Sequence, residues 1–217
     1  RKKHLVPAPS HHHHHHPTAR PNSSTTSHEA SERSLNADWC DNDWFGTHTL
    51  NRGTTCTLTE EIKVLSGTVL DLSSAGSDTT VEMAIITGDS SFPLFWVLGQ
   101  LTVSELILEN GYAPNGGCIY GEQATPTVVS RIHLIGSIVR GCVAEDYGGA
   151  VLLANGAVLV LEGSTVTSNT ATKGGGGVFA FLGGKVVVNG GTISYLSNNQ
   201  ANAGGGIYLE NEGTLLG

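Results

Sequence analysis

Asn169-Thr-Ala-Thr-Lys-Gly-Gly175-Gly176-Gly-Val-Phe179 is answered 29 residues later by Asn198-Asn-Gln-Ala-Asn-Ala-Gly204-Gly205-Gly-Ile-Tyr208. Working outward from this pair, two earlier copies emerge: Asn110-x5-Gly116-Gly117-Cys-Ile-Tyr120 and Cys142-x5-Gly148-Gly149-Ala-Val-Leu152. The anchor stands six positions before the glycine pair in every copy, and the anchors recur after 32, 27 and 29 residues. An apolar residue lies three places before each anchor (Ile107, Val139, Val166, Tyr195) and an alanine follows closely (Ala113, Ala144, Ala171, Ala201).

A period near 29 with strand-length apolar runs is the signature of a solenoid. The runs are short: Ile62-Lys-Val-Leu65, Val69-Leu-Asp-Leu72, Phe95-Trp-Val-Leu98, Leu106-Ile-Leu108, Ile132-His-Leu-Ile135 and Val158-Leu-Val-Leu161. No apolar stripe of 3.6-residue period and helical length occurs, so helix is excluded as the main element. The expected fold is all-β: a right-handed parallel β-helix, a single-stranded solenoid of about five coils over residues 60–217. Strands of successive coils would stack at roughly 4.8 Å, piling equivalent residues into columns. Asn110, Cys142, Asn169 and Asn198 are then expected to form one structural ladder, with Cys142 replacing the amide in one coil. The turn glycines Gly116 and Gly117, Gly148 and Gly149, Gly175 and Gly176, and Gly204 and Gly205 would supply positive φ at a sharp bend. The two apolar residues that follow in each copy are expected to fill the core.

The rest of the chain divides by composition. Residues 1–35 are rich in Pro, Ser, Thr and His and almost free of large apolar groups, so a disordered tail is expected there. His11–His16 is a purification tag or a natural histidine tract and carries no functional argument. Asn22-Ser-Ser24 is a glycosylation acceptor if the chain is secreted. Residues 36–59 hold Trp39, Trp44 and Phe45 among Asp38, Asp41 and Asp43, and read as an N-terminal cap over the first coil. Asp41-x-Asp43-x-x-Gly46 fails as a calcium loop, because Phe45 and Arg52 stand where oxygen ligands are needed.

Charge separates the same parts. Residues 1–35 hold five Lys or Arg against two Asp or Glu, whereas the remainder holds six against seventeen. A body so acidic repels phosphate, so nucleic acid is excluded as a partner class. No apolar run is long enough to span a bilayer as a helix. Arg1-Lys-Lys-His-Leu-Val-Pro7 lacks the apolar stretch of a signal peptide, and a mature or trimmed chain is expected. The four cysteines Cys40, Cys56, Cys118 and Cys142 allow three disulfide pairings, or four buried thiols. Cys40–Cys56 with Cys118–Cys142 is the pairing of lowest separation.

The Gly-Gly-x-(Ile/Val)-(Tyr/Phe/Leu) columns with their amide anchors resemble the repeats of polymorphic outer membrane proteins, within the wider pectin-lyase-like β-helix class. The likeness covers about 155 residues and speaks for architecture far more than for function. It implies a secreted or surface-displayed protein, adhesive or structural. The alternative within that class is a polysaccharide lyase, hydrolase or epimerase. The acidic, basic and Gly-His-Gly strings of those enzymes do not occur here. Glu145-Asp146 is the adjacent carboxylate pair of the array, and His133 with Arg131 and Arg140 is the next candidate, Arg131 and His133 forming a small basic spot if their strand alternates. A solvated turn and an ordinary exposed strand are the plainer readings of both. No catalytic residue, cofactor or metal ligand is assigned. The array stops at Leu215-Leu-Gly217, so a continuing chain, self-association or another protein is expected at that coil edge, with glycans as further partners.

Overall fold

The computed structural model describes residues 44–76, 78–189 and 194–217, together with the backbone of Arg33–Leu35. The histidine run, Asn22, Cys40 and the Asp41–Asp43 stretch lie outside the described residues.

Among the described residues every regular element is a strand, and every pairing between strands is parallel. The chain winds as a parallel β-solenoid of about five turns from Val69 onward. Each turn visits three faces. The first face carries Val69–Ala75, Gln100–Ser104, Arg131–Ile135, Val158–Glu162, Lys185–Val188 and Thr214–Leu216. The second carries Ile85–Thr87, Ile107–Glu109, Ile138–Arg140, Thr165–Thr167 and Tyr195–Ser197. The third carries Phe95–Val97, Ile119–Glu122, Val151–Ala154, Val178–Ala180 and Ile207–Leu209. A short fourth sheet, Tyr112–Asn115, Val143–Tyr147 and Thr170–Ala171, lies between the second and third faces.

The solenoid begins inside the stretch expected to be a cap. Gly46–Asn51 pairs with Leu70–Ala75, and Thr55–Thr57 pairs with Ile85–Thr87, each in the register of a full coil. Ile62–Val64 then opens the third face against Phe95–Val97. Arg33–Leu35 pairs in turn with His48–Leu50.

The core is made of columns. Leu101, Ile132, Leu159 and Val186 stack in strict register on the first face and are all within 1 % of full burial. Phe95, Ile119, Val151 and Val178 do the same on the third face at 0 % exposure. Each such side chain contributes roughly 1.5–3 kcal/mol by leaving water, before ordering costs. Because a strand alternates its side chains, the neighbours of these residues point outward.

The two corners flanking the second face share one construction. Before that face, Glu105, Gly136 and Gly163 adopt positive φ of 52°, 56° and 57°. The next residues, Leu106, Ser137 and Ser164, turn inward and are buried. After that face, Asn110, Gly141, Ser168 and Asn198 adopt positive φ of 60°, 64°, 57° and 53°. They are followed by Gly111, Cys142, Asn169 and Asn199.

The single ladder expected from the sequence is therefore corrected to two neighbouring columns. Asn110 and Asn198 occupy the left-handed position, and Cys142 and Asn169 occupy the inward position beside it. The glycine pairs do share a corner. Gly116, Gly148, Gly175 and Gly204 have φ of 65°, 68°, 63° and 55°, and their neighbours hydrogen-bond from coil to coil. The coils entering at Asn110 and Asn198 hold one residue fewer between inward position and glycine pair. The first shortening appears as a register irregularity between Ala113 and Asn115.

Candidate binding groove

The third face turns a column of large side chains outward. Lys63, Trp96, Tyr120, Leu152, Phe179 and Tyr208 are successive partners in the parallel register. This corrects the expectation that both residues after each glycine pair fill the core. Ile119 faces in and Tyr120 faces out, Val178 faces in and Phe179 out, as strand alternation demands. The signal was present in the sequence as an aromatic directly following an Ile or Val.

Leu152 interrupts the column with a short side chain, and Tyr147 fills the place from the end of Val143–Tyr147. Tyr147 and Phe179 stack with ring centroids 4.5 Å apart and planes 24° apart. Phe179 stacks in turn on Tyr208 at 5.5 Å and on Phe181 at 5.3 Å. Leu152 and Phe179 are thereby 2 % and 3 % exposed although both lie outside the coil. Such ring pairs contribute about 0.5–1.5 kcal/mol each beyond area burial. Trp96 meets Tyr120 edge-on at 6.2 Å.

No ring contact joins Tyr120 to Tyr147, and a depression of about 350 Å³ opens between them, with Asn115, Asp146, Glu210 and Asn211 at its margin. On the other side of Tyr120 lies a second depression of about 370 Å³, walled by Trp96, Pro93 and Pro114 and bordered by Glu61 and Asn115. The two share Tyr120 and Asn115, so the tyrosine stands as a fin between adjoining compartments.

The charges around the groove are largely paired. Lys63 Nζ lies 3.1 Å from Glu61 and 5.3 Å from the Trp96 ring centroid. Lys173 Nζ donates to Asp146 Oδ2 at 2.8 Å and lies 5.5 Å from the Tyr147 ring centroid. The hydrogen bond to Asp146 raises the Lys173 pKa, keeping the ammonium charged into the alkaline range. Burial, with a smaller contribution from the nearby Glu122 carboxylate, raises that of the Tyr120 phenol.

The polar candidates read from the sequence are dispersed by the fold. Glu145 and Asp146 sit in Val143–Tyr147 and take different partners: Glu145 accepts from Tyr112 Oη at 2.8 Å, and Asp146 binds Lys173. That hydrogen bond raises the Tyr112 pKa. Arg131 and His133 face outward from the first face, where His133 Nε2 lies 3.3 Å from Glu162 Oε2. Arg140 belongs to the second face and binds Glu109 at 2.8 Å. Arg131 and His133 thus alternate outward from one strand as expected, while Arg140 lies on a different face. Among the described residues no group of three His, Cys, Asp or Glu is placed to hold a metal.

At the corner after the second face, Asn169 is wholly buried. Its Oδ1 accepts the Cys142 N–H at 3.0 Å and its Nδ2 donates to the Val139 carbonyl at 3.1 Å. Asn199 repeats the pattern one coil on, accepting the Asn169 N–H at 3.0 Å and donating to the Val166 carbonyl at 2.9 Å. Asn199 was missed in the sequence because Asn198 preceded it. Asn110 instead donates to Thr87 Oγ1 at 3.1 Å. Cys142 is joined to Cys118 of the preceding coil by a disulfide with a Cα–Cα distance of 5.5 Å, both residues being fully buried. Gly111 leaves the inward position clear, since a Cβ there would lie 2.2 Å from the Gly117 carbonyl oxygen and 3.0 Å from Cys118 Sγ. Cys56 is also disulfide-bonded.

Compared with known proteins, the chain matches no family, no curated protein and no solved structure. Among the described residues, no helix is long and apolar enough to cross a membrane.

Proposed function

We propose that the chain is a rigid, exported β-helical scaffold displayed at a cell surface, where it acts as an adhesive or structural module. The observation that carries this reading is the buried Cys118–Cys142 disulfide inside the coil stack. Structural disulfides form and persist in oxidising compartments and are rare where glutathione keeps thiols reduced. The likeness of the glycine-pair repeats to those of polymorphic outer membrane proteins agrees with it, as does the Ser- and Thr-rich stretch with the acceptor Asn22. The mechanism is presentation: the core columns hold the faces rigid, and outward side chains supply the contacts. The separate partners of Glu145 and Asp146 give no support to a paired-acid hydrolase.

The test is made on cells that produce the protein. A membrane-impermeant biotin reagent should label the intact cells' protein, and thiol blocking before lysis should recover Cys118 and Cys142 as one linked peptide. Protein found only inside the cell, or recovered with both thiols free, overturns the reading. So does turnover of a polysaccharide that substitution of His133 or Glu145 abolishes.

A further inference from the structure

We infer that the two compartments flanking Tyr120 on the third face bind a linear, uncharged polysaccharide running along the solenoid axis. The proposal rests on the reading of the chain as an adhesive scaffold and names the ligand of that adhesion. Two observations of shape and lining point to this class of ligand. The compartments are contiguous, about 350 and 370 Å³, and follow one another along the axis with Tyr120 and Asn115 shared between them. A chain of repeating rings fits that arrangement, one ring on each side of the tyrosine fin. The walls are aromatic and prolyl, offering flat apolar faces to the C–H faces of a pyranose.

Charge and hydrogen-bonding complementarity select among occupants. Glu61 and Asp146 are each held by a lysine, leaving Glu210 to tip the margin slightly acidic. A polyanionic glycan meets no unpaired cation there among the described residues, and an uncharged one meets no net repulsion. The margin is also rich in acceptors, through Glu61, Asp146, Glu210 and the amide oxygens of Asn115 and Asn211. Sugar hydroxyls are donors and satisfy them. A proline-rich peptide, the other frequent occupant of aromatic grooves, offers few N–H donors to such a margin. The Trp96 Nε1 that would hold a peptide carbonyl is buried.

The experiment uses the purified full chain, oxidised, in affinity electrophoresis through gels containing galactomannan, hydroxyethyl cellulose, a soluble β-1,3-glucan or polygalacturonate. At least one uncharged polymer should retard the protein, and polygalacturonate should not. Tyr120→Ala should weaken that retardation by about tenfold, the loss of one stacking partner. Tyr120→Phe should stay within about twofold, since the ring is kept. Asn115→Ala, at a partly buried position outside the hydrophobic clusters, provides a second reading if Tyr120→Ala does not fold, with weakening of about threefold. Folded wild-type protein retarded by none of the uncharged polymers overturns the proposal. So does retardation that survives Tyr120→Ala and Asn115→Ala, or a proline-rich peptide that perturbs tryptophan emission where no glycan does. Surface labelling is scored separately, so a displayed protein that ignores glycans defeats this inference and leaves the scaffold reading standing.

Discussion

The corner entering the second face and the corner leaving it obey one rule and are filled differently. In both, a residue with positive φ is followed by one that turns inward, and beyond the first copy (Leu106, Gly111) that residue ties itself to the preceding coil. On entry the cap is a hydroxyl: Ser137 Oγ accepts the Leu106 N–H at 3.3 Å, Ser164 Oγ the Ser137 N–H at 3.1 Å, and Ser194 Oγ the Ser164 N–H at 3.2 Å. On exit the cap is an amide in two coils and a disulfide in another. A hydroxyl reaches one N–H and returns its own proton to a nearby carbonyl. An amide accepts one N–H and has two protons to give, which Asn169 places on the Val139 carbonyl and on Asn199 Oδ1. A disulfide satisfies neither, and acts on the unfolded chain by restricting it. The same geometric demand is thus met by three chemistries whose contributions should differ in size and in what disturbs them.

The largest difference is expected at Asn169. Asn169→Ala orphans the buried Cys142 N–H, at about 1–3 kcal/mol, and removes the amide's bonds to the Val139 carbonyl and Asn199 Oδ1, at about 0.5–1.5 kcal/mol each. A loss near 4 kcal/mol, read as a lowered urea midpoint with unchanged slope, is expected. A loss under about 1 kcal/mol would mean that the amide column only fills space.

Next in size is the disulfide. Its 24-residue separation gives a chain-entropy contribution of about 3 kcal/mol, lost on reduction or in the Cys118→Ala, Cys142→Ala double variant. This effect should vanish when wild type and variant are compared in reductant, whereas the Asn169 effect should remain. Because Asn169 holds the Cys142 N–H, the two changes touch one backbone group and should not add. Simple additivity would show the two devices to be independent.

Ser164→Ala should cost less, about 1–2 kcal/mol, since it orphans only the Ser137 N–H. If it equals Asn169→Ala, the additional donation of the amide contributes nothing, and the distinction between the corners fails.

How much of this was legible follows from which residues the chain has no choice about. The glycine pairs could be read, because a Cβ at Gly149 would lie 2.1 Å from the Gly176 carbonyl oxygen and at Gly176 2.4 Å from that of Gln200. Only glycine fits, so the spacing between pairs reports the coil. The capping residues could not be placed by spacing from those pairs, since the turn between them varies by one residue. Their own mark is a dipeptide: a residue tolerant of positive φ, then the cap, as in Gly141-Cys142, Ser168-Asn169 and Asn198-Asn199. The entry corner carries the same mark in Gly136-Ser137 and Gly163-Ser164, hidden because Gly-Ser is ordinary in any loop. The groove was hidden for another reason. Tyr147 ends the short strand Val143–Tyr147 at the fourth sheet, and nothing local says that it will stack on Phe179 from the next coil.

The smallest effect is also the one that isolates the positive-φ position from the cap beside it. Ser168 holds φ at 57° with an exposed side chain, its nearest polar contact being Thr167 Oγ1 at 3.4 Å. A non-glycine residue pays roughly 1 kcal/mol for that conformation, while glycine adds unfolded-state entropy of comparable size. Ser168→Gly should therefore stabilise by only about 0.5 kcal/mol, and Gly141→Ala, the reverse change in the same column, should destabilise by about 1 kcal/mol. Neither should alter the capping bonds, so both should add to Ser164→Ala without coupling. If instead Ser168→Gly destabilises as much as loss of a cap, the left-handed residue does more than shape the bend. The corner would then have to be treated as one unit of two residues, not a conformational slot followed by a hydrogen-bonding one.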